Sequence, residues 1–365
     1  MNYGAPWWLP DGNTQTIWAA LRARRFMGPP PVFRRERWST PDNDFVDVDW
    51  LVPLSESAGL AERGAVREAP SVEVANEAPG RAKSSSAPSG GSAAHAVASV
   101  GVPLLVLFHG LEGSSSSHYA QAFADVAGSR GWACAVPHFR GCSGEPNLAP
   151  RAYHSGDFAE IDWMLRRFAG LNQGPVVAVG ISLGGNALMR WAGEMGTQAG
   201  QVVTAVAAVC APLDLTASGQ AIGQGFNRQV YTRMFLKSMV PKALQKLAQH
   251  PGLFDRDTLL AARDLHAFDN VFTGPVHGFK GVDDYWSRAS AKPHLGRIAV
   301  PALALNALND PFIPAASLPQ PADVSPWVTL WQPAQGGHVG FPASNFPAHV
   351  RAMPEAVAGF LAAQL

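Results

Sequence analysis

The sequence predicts an α/β fold with a mostly parallel central sheet, flanking helices and a helical cap between the sixth and seventh strands. Apolar, strand-like runs alternate with helix-like segments from residue 102 onward, which is the pattern of a parallel sheet. The apolar run 175–179 leads directly into Gly180-Ile181-Ser182-Leu183-Gly184, which predicts a sharp turn between a strand and a helix. The stretch 212–295 is far longer than an ordinary strand connection, so we expect a cap there.

The chain begins with a predicted hairpin and a compositionally different insertion. Residues 32–38 and 44–53 suit two strands, and the alternation in 45–50 predicts that Asp47 and Asp49 face solvent. Residues 54–101 are rich in Ala, Ser, Gly, Pro and Glu and nearly free of aromatic side chains. Such a composition buries too little apolar area to offset its ordering entropy, so we expect a flexible surface insertion without a catalytic role.

The rest of the chain supplies the remaining strands and helices. Strands are predicted at 102–108, 132–136, 175–179, 201–209, 300–307 and 327–331. Helices are predicted at 117–128, 157–169 and 349–364, with cap segments at 230–240 and 242–250. We expect residues 1–365 to form a single domain that includes the insertion 54–101 and the cap 212–295.

Ser182 is the candidate nucleophile, and its partners can be sought by chemistry. A serine hydroxyl needs an adjacent base, and the base needs a carboxylate to orient it. His338 follows the last predicted strand, and Asp310 follows the strand 300–307. Because the carboxyl ends of parallel strands meet at one edge of a sheet, we expect the three side chains to lie together. Asp214 is an alternative acid, although an Asp at that position also suits a helix N-cap.

The loop after the strand 102–108 is a candidate oxyanion hole. A tetrahedral intermediate needs two backbone N–H donors, and we assign them to Leu183, which follows the nucleophile, and to Leu111. Gly110 would let this backbone approach the substrate closely. His109 is expected to hold the loop by hydrogen bonds, and Glu112 is expected to be a surface carboxylate.

Composition restricts the classes of function and ligand. Hydrophobic residues make up 47% of the chain and charged residues 15%, which suits a large core. The formal net charge is zero, so nothing in the overall charge indicates a nucleic-acid partner. The three cysteines are scattered, and neither Cys-x-x-Cys nor His-Glu-x-x-His occurs. We therefore expect neither a metal nor a cofactor.

The N-terminal segment carries the sequence features that bear on where in the cell the protein is found. The apolar stretch at its start is interrupted by Pro6, Pro10 and Asp11, so we expect no signal peptide and a cytoplasmic protein. No run of about 18 apolar residues predicts a membrane span. A lipid-surface contact through this segment would involve Trp7, Trp8, Trp18, Phe26, Arg22, Arg24 and Arg25. Packing of these aromatic residues on the core is the simpler interpretation.

As an ordered set, the motifs resemble the YheT/ABHD-type branch of the α/β-hydrolases (family 4). They are His109-Gly110-Leu111-Glu112-Gly113-Ser114-Ser115, His138-Phe139-Arg140-Gly141-Cys142-Ser143-Gly144, Gly180-Ile181-Ser182-Leu183-Gly184-Gly185-Asn186, Asn309-Asp310-Pro311-Phe312 and Gly337-His338-Val339-Gly340-Phe341. The segment Asn13-Thr14-Gln15-Thr16-Ile17 resembles the opening segment of that branch. The resemblance covers most of the chain outside 54–101, and its triad positions match Ser182, Asp310 and His338.

The resemblance implies a serine hydrolase that cleaves carboxylic esters, either short- and medium-chain esters or acylglycerols. Relatives of this type also act on phospholipids, so the partner is expected to be a small ester or a lipid. Two alternatives use the same sequence features: an alcohol O-acyltransferase with the same triad, and a non-catalytic binding protein on a hydrolase scaffold. Candidate acyl-pocket residues in the cap, each of which could simply pack against the core, are Met234, Phe235, Leu236, Met239, Phe268, Phe272 and Trp286.

Overall fold

An eight-stranded sheet forms the centre of the molecule, with the strands in the order β1-β2-β4-β3-β5-β6-β7-β8. The computed structural model describes residues 3–53, residue 56 and residues 101–365. The strands are β1 (Phe33–Ser39), β2 (Phe45–Leu51), β3 (Leu104–Phe108), β4 (Ala133–Pro137), β5 (Val176–Ile181), β6 (Ala205–Val209), β7 (Ala302–Leu305) and β8 (Val328–Trp331). The predicted insertion 54–101 lies outside the described residues, apart from residues 56 and 101.

Strands β3 to β8 are parallel, and the hairpin β1–β2 joins them antiparallel through β4. Every residue of β3, β5 and β6 is buried. Continuous apolar runs of this kind are typical of parallel strands that are covered on both faces. The predicted fold class is therefore confirmed.

Helices cover both faces of the sheet, and alternate side chains of each strand point to opposite layers. In β3, Leu104 and Val106 belong to one core cluster with helix residue Trp191, whereas Leu105 and Leu107 belong to another with Phe123. Outside the cap, the helices are α1 (Gly12–Leu21), α2 (His118–Ser129), α3 (Phe158–Leu171), α4 (Leu183–Met195) and α12 (Ala352–Ala362).

The cap lies between β6 and β7, as predicted, and is helical. Its helices are α5 (Leu215–Ile222), α6 (Gly225–Asn227), α7 (Arg233–Gln249), α8 (Arg256–Ala261), α9 (Leu265–Val271), α10 (Thr273–Val276) and α11 (Val282–Ala289). The two segments predicted at 230–240 and 242–250 are one helix that continues through Pro241. Ala243, two residues after the proline, belongs with Leu259 and Phe268 to the cap's own apolar cluster, which favours a continuous helix although the proline lacks an N–H donor.

The prediction that Asp47 and Asp49 face solvent is wrong. Strand β2 lies between β1 and β4 and is not an edge strand, and both aspartates are buried. The Nε atom of Arg35 lies 2.8 Å from Asp49 Oδ1, and that of Arg37 lies 2.7 Å from Asp47 Oδ1. His138 and Ser115 also bond to Asp49. The acidic alternation therefore marks a face that other polar side chains cover.

The boundary of β6 also differs from the prediction. The strand predicted from residue 201 begins at Ala205, because Gly196–Gln201 form a turn of 3-10 helix. Polar residues at 197, 198 and 201 suit this exposed turn, whereas every residue of 205–209 is buried. The apolar part of the prediction is thus the part that forms the strand.

Candidate active site

Ser182 stands at the sharp turn between β5 and α4. Its backbone has φ 51° and ψ −116°, a conformation that non-glycine residues rarely adopt and that costs free energy. A Cβ atom on Gly180 would lie 2.4 Å from the carbonyl oxygen of Gly184, and one on Gly184 would lie 2.5 Å from that of Phe108. Glycine at both positions therefore lets the strand and the helix meet closely enough to expose the serine.

The structure brings the three predicted site residues into one hydrogen-bonded chain. His338 Nε2 lies 3.0 Å from Ser182 Oγ, and His338 Nδ1 lies 2.8 Å from Asp310 Oδ2. The Asp310 side chain is fully buried, and its other oxygen accepts a hydrogen bond from the Phe312 N–H at 2.8 Å. With Asp310 ionised, Nδ1 carries the proton, so Nε2 is free to accept the serine proton.

The sheet explains why residues so distant in sequence meet. Ser182 follows β5, Asp310 follows β7 and His338 follows β8, so all three lie at the carboxyl edge of parallel strands. Asp214, the alternative acid, instead caps α5, where its side chain accepts a hydrogen bond from the Ala217 N–H at 3.0 Å. The contact to His338 is made by Asp310.

Two backbone amides beside Ser182 are free to bind an oxyanion. Leu183 is the first residue of α4, so its N–H has no partner in the helix. In the loop after β3, the N–H groups of Gly110 and Glu112 donate to the hydroxyls of Tyr119 and Tyr153. Within the described part of the chain the Leu111 N–H donates no hydrogen bond. Leu111 and Leu183 both line the same cavity as Ser182.

His109 has the structural role expected for it. Its Nδ1 lies 2.8 Å from the Gly110 carbonyl oxygen, and its Nε2 accepts a hydrogen bond from the Phe139 N–H at 3.0 Å. Complete burial is the main cause that lowers the pKa of His109, to about 3. The neutral imidazole therefore links the loop after β3, which contains Leu111 and is called the oxyanion loop below, to the loop after β4.

The prediction that Glu112 is a surface carboxylate is wrong. Its side chain is only 10% exposed and lies 2.8 Å from Nζ of Lys242 in cap helix α7. The Tyr153 hydroxyl donates to its other oxygen at 2.8 Å. Glu112 therefore joins the oxyanion loop to the cap. The sequence carried no signal for this pair, because Glu112 and Lys242 lie in segments that share no pattern.

A cavity of about 710 Å³ lies between the triad and the cap. Six of the seven predicted acyl-pocket residues line it; the exception is Leu236, which packs inside the cap. Sequence reasoning missed the polar wall, which the loop after β4 supplies. Its residues include Arg140, Glu145, Asn147 and His154. This loop follows a parallel strand, so its position at the carboxyl edge was the signal that could have indicated it.

Comparison with known proteins shows to which family this architecture belongs. The model of the alpha/beta hydrolase fold family matches residues 103–343. The chain belongs to the α/β-hydrolase family. It is 41% identical over 242 residues to the putative esterase YheT of Escherichia coli K12, covering 66% of this chain and 70% of that protein. It is 28% identical over 251 residues to human phospholipase ABHD3, covering 67% of this chain and 60% of that protein.

These relatives place this hydrolase in the YheT/ABHD branch, as the motifs predicted. Among solved structures, a puromycin-hydrolyzing peptidase of Mycobacterium tuberculosis is similar with a TM-score of 0.50 and 17% identity. That similarity covers 91% of this chain and 39% of the peptidase, and it concerns the fold alone. Catalytic assignments in this hydrolase therefore depend on its own geometry.

One cluster of side chains at the site contains residue types that can bind a metal ion. Ligand-type atoms of Cys210, Asp310 and His338 lie within 4.8 Å of one another. Burial raises the pKa of the Cys210 thiol well above its usual range, whereas metals bind the thiolate. Both ring nitrogens of His338 already face Asp310 and Ser182. The donor set therefore suits a hydrogen-bonded triad better than a metal ion.

The N-terminal tryptophans Trp8 and Trp18 pack against each other and against Phe346, which is itself 72% exposed. The ring of Phe346 lies 5.7 Å from that of Trp8 and 5.5 Å from that of Trp18, and Trp18 Nε1 donates to the Pro347 carbonyl. Trp7 is the exception, since 90% of its surface is exposed. In the described ranges, none of the helices has the length and apolar character needed to span a membrane. Contact of this segment with a lipid surface stays a prediction.

Proposed function

We propose that this hydrolase cleaves carboxylic esters through an acyl-enzyme on Ser182. The observation that carries the proposal is the hydrogen-bonded chain from Ser182 Oγ through His338 to the buried Asp310. The class of reaction agrees with the names of the relatives: an esterase, a phospholipase, and a monoacylglycerol lipase from Saccharomyces cerevisiae that is 27% identical over 252 residues.

The first half of the reaction forms the acyl-enzyme. Ser182 Oγ attacks the ester carbonyl carbon while its proton passes to Nε2 of His338. Asp310 stabilises the imidazolium that forms, and the N–H groups of Leu111 and Leu183 bind the developing oxyanion. The tetrahedral intermediate then collapses as the carbon–oxygen bond to the alcohol breaks, and His338 protonates the leaving alkoxide.

The second half releases the acid. A water molecule takes the place of the departed alcohol, and His338 Nε2 accepts its proton as the oxygen attacks the acyl carbon. The same two amides bind the second oxyanion. Its collapse breaks the bond to Ser182 Oγ, which takes back the proton from His338, and the carboxylic acid leaves. These reaction steps need neither a redox reaction nor a cofactor.

The cavity supports short- and medium-chain esters or acylglycerols as substrates. Its volume of about 710 Å³ falls within the range of small-molecule sites, roughly 300–1,000 Å³. Met239, Phe268 and Phe272 of the cap provide an apolar wall that suits an acyl chain. The loop after β4 adds polar groups to the lining of the cavity, and these suit the more polar alcohol portion of an ester.

The first test is hydrolysis of p-nitrophenyl esters of graded acyl length by the wild type and by Ser182→Ala. We expect turnover that peaks at one chain length and falls by about 10⁴-fold or more in the variant, because the nucleophile is lost. Circular dichroism and thermal melting serve as controls for the fold. Retained turnover in purified, folded Ser182→Ala would overturn the proposal.

Product analysis separates hydrolysis from the two alternatives. With ethanol or glycerol added, we expect the free acid to remain the main product; a dominant ethyl or glyceryl ester would assign acyl transfer instead. Labelling by a fluorophosphonate should modify the wild type and spare Ser182→Ala. A folded wild-type protein that is neither labelled nor active would indicate a binding scaffold.

A further inference from the structure

Helix α1 touches both loops that complete the triad, although it lies at the other end of the chain. Its first residues belong to the segment Asn13-Thr14-Gln15-Thr16-Ile17, which the resemblance singled out and which the proposed mechanism does not use. Three hydrogen bonds connect this helix to residues between 294 and 322 positions away. The loops that they reach carry Asp310 and His338.

Thr16 bonds directly to the backbone of the proposed base. Its Oγ1 accepts a hydrogen bond from the His338 N–H at 2.8 Å and donates to the Gly12 carbonyl oxygen at 2.6 Å. The side chain is buried. A single hydroxyl group, held by its own helix, therefore fixes the point at which the His338 side chain leaves the main chain.

Gln15 joins the two triad loops to each other. Its Oε1 accepts from the Gly336 N–H at 2.8 Å and from Asn309 Nδ2 at 3.0 Å, while its Nε2 donates to the Leu9 carbonyl at 2.8 Å. Asn309, the neighbour of Asp310, also accepts the Gly337 N–H through Oδ1 at 3.0 Å. Both polar atoms of the Gln15 side chain therefore have hydrogen-bond partners, and Gln15 is fully buried.

The backbones of helix and loops are also in direct contact. A Cβ atom on Gly12 would lie 1.9 Å from the Asn309 carbonyl oxygen, and one on Gly337 would lie 2.6 Å from the Gly12 carbonyl oxygen. Side chains at these positions would push the elements apart. The helix therefore rests against the triad loops with little freedom to shift.

We propose that Thr16, supported by Gln15, is a positioning residue that holds the His338 imidazole in register with Ser182 and Asp310. The inference rests on the proposed function, since it assumes that His338 is the base. The imidazole must satisfy contacts of 3.0 Å and 2.8 Å at the same time. A misplacement of about 1 Å in such a constellation can reduce the rate about 10²-fold.

The test compares Thr16→Val, Thr16→Ser and Thr14→Val on the best p-nitrophenyl ester. Valine keeps the shape of threonine but cannot accept the His338 N–H, so we expect kcat to fall about 10- to 100-fold with KM within about twofold of the wild type. Fluorophosphonate labelling should slow by a similar factor. Serine keeps the hydroxyl and should restore most of the kcat.

Thr14→Val is the matched control. Thr14 lies on the same helix, but its side chain bonds only to Asp11 at the start of α1. The same chemical change at position 14 should therefore leave kcat and labelling near wild-type values. Melting temperatures measured for every variant identify the temperature at which all are folded, and the kinetics are compared there. Should Thr16→Val melt below the assay temperature, Thr16→Ala against Thr14→Ala makes the same comparison.

The outcomes separate this inference from the proposed function. If Ser182→Ala is inactive while folded Thr16→Val, or the alanine variant in its place, matches the wild type in kcat and labelling, the positioning role is wrong and the triad stands. A variant that only melts earlier, with unchanged kcat when folded, also overturns it. If Ser182→Ala keeps its turnover, the proposed function itself fails.

Discussion

At the scale of single residues, the nucleophile turn leaves no room for a side chain at position 184. A Cβ atom on Gly184 would lie 2.5 Å from the Phe108 carbonyl oxygen and 2.6 Å from that of His109. Backbone atoms cannot rotate away as a side chain can, so Gly184→Ala should lower the free energy of unfolding by about 1–3 kcal/mol. It should also reduce ester turnover, because Ser182 moves with α4. Urea unfolding and the ester assay measure the two effects.

Gly359 provides the matched control for that substitution. It also lies within a helix, α12, but a Cβ atom there would meet nothing within 4 Å. Gly359→Ala should therefore raise the free energy of unfolding by about 0.5–1 kcal/mol, since alanine loses less backbone entropy in a helix. Equal stability and activity of the two alanine variants would contradict the close approach at Gly184.

Asp44 is a buried carboxylate that bonds to the loop after β4, which lines part of the cavity. Its side chain accepts hydrogen bonds from Asn147 Nδ2 at 2.7 Å and from the Leu148 N–H at 2.6 Å, and it lies 2.8 Å from Arg140 Nη1. Burial acts to raise the pKa of Asp44, but these hydrogen bonds, with those from Phe45 and Ala149, outweigh it and lower the pKa to about 2. The ionised carboxylate therefore stabilises the loop after β4.

This arrangement predicts a pH-dependent stability. Because the pKa of Asp44 is lower in the folded state, its contribution is complete above its unfolded pKa of about 4 and is lost as the pH falls from about 4 to about 2. Asp44→Asn should lower the free energy of unfolding by about 1–3 kcal/mol at pH 7, and by less at pH 3. Urea titrations at both values measure it.

Asp42 supplies the control for Asp44→Asn. It also pairs with Arg140 Nη1 at 2.8 Å, but its side chain is 41% exposed. Exposed ion pairs contribute about 0–1 kcal/mol, so Asp42→Asn should have the smaller effect at pH 7. If Asp44→Asn lowers the free energy of unfolding by the same amount at pH 7 and at pH 3, the carboxylate charge is not what stabilises the loop.

At the scale of secondary-structure elements, helix α7 turns one face toward the cavity. Met234, Phe235, Met239 and Lys242 of this helix line the cavity, whereas Lys237 does not and is exposed. Met239→Trp should shorten the preferred acyl chain, because the indole fills space that a longer chain would occupy. The ratio of kcat/KM for long over short p-nitrophenyl esters should fall about tenfold or more.

The control for this prediction is Lys237→Trp, which adds the same indole on the outward face of α7. Its chain-length profile should match that of the wild type. If both tryptophan variants keep that profile, the acyl chain does not lie against α7. If both shift it alike, the change arises from the helix as a whole and not from the volume of the cavity.

Elements with a local signature were the ones that the sequence predicted well. The strand–turn–helix around Ser182 depends on glycines within two positions of the serine, and the buried runs of β3 and β5 depend on their own apolar residues. Asp47 and Asp49 were misassigned because their partners lie in other segments. The continuity of α7 through Pro241 was likewise set by packing within the cap, which periodicity does not describe.

At the scale of the whole molecule, the two ends of the predicted insertion lie away from the catalytic edge. Leu51 ends β2 and Leu104 begins β3, and both lie beside the first residues of β4. Leu104 pairs with Val176 at the start of β5, whereas Ser182 follows its end. The insertion therefore leaves and re-enters the sheet at the edge opposite the nucleophile, which supports the proposal that it has no catalytic role within a single domain.

Replacing residues 57–100 with a ten-residue Gly/Ser linker tests that proposal. The ends of β2 and β3 are separated by two strand spacings, roughly 10 Å, and ten residues can span roughly 33 Å. We expect kcat and KM on the best ester within about twofold of the wild type, because the triad, the oxyanion loop and the cap are unchanged. A folded variant with much lower kcat/KM would assign the insertion a part in catalysis.

The candidate site divides in the same way into what could and could not be predicted. Ser182, Asp310 and His338 each follow a strand that the sequence identifies, so topology alone brings them to one edge. Thr16 and Glu112 could not be assigned, because their contacts join segments that carry no common pattern: Thr16 meets His338 across 322 positions, and Glu112 meets Lys242 of the cap. Such pairs become visible only when tertiary packing is known.

The position of α1 against the His338 loop has a consequence for protein synthesis. The contact joins residues 322 positions apart, so it can form only after all of the intervening chain has been made. While His338 is still inside the exit tunnel of the ribosome, its N–H cannot reach the Thr16 hydroxyl, and the imidazole cannot be placed beside Ser182. A nascent chain of this hydrolase should therefore carry Ser182 long before it can use it, and turnover should begin only after His338 has left the tunnel.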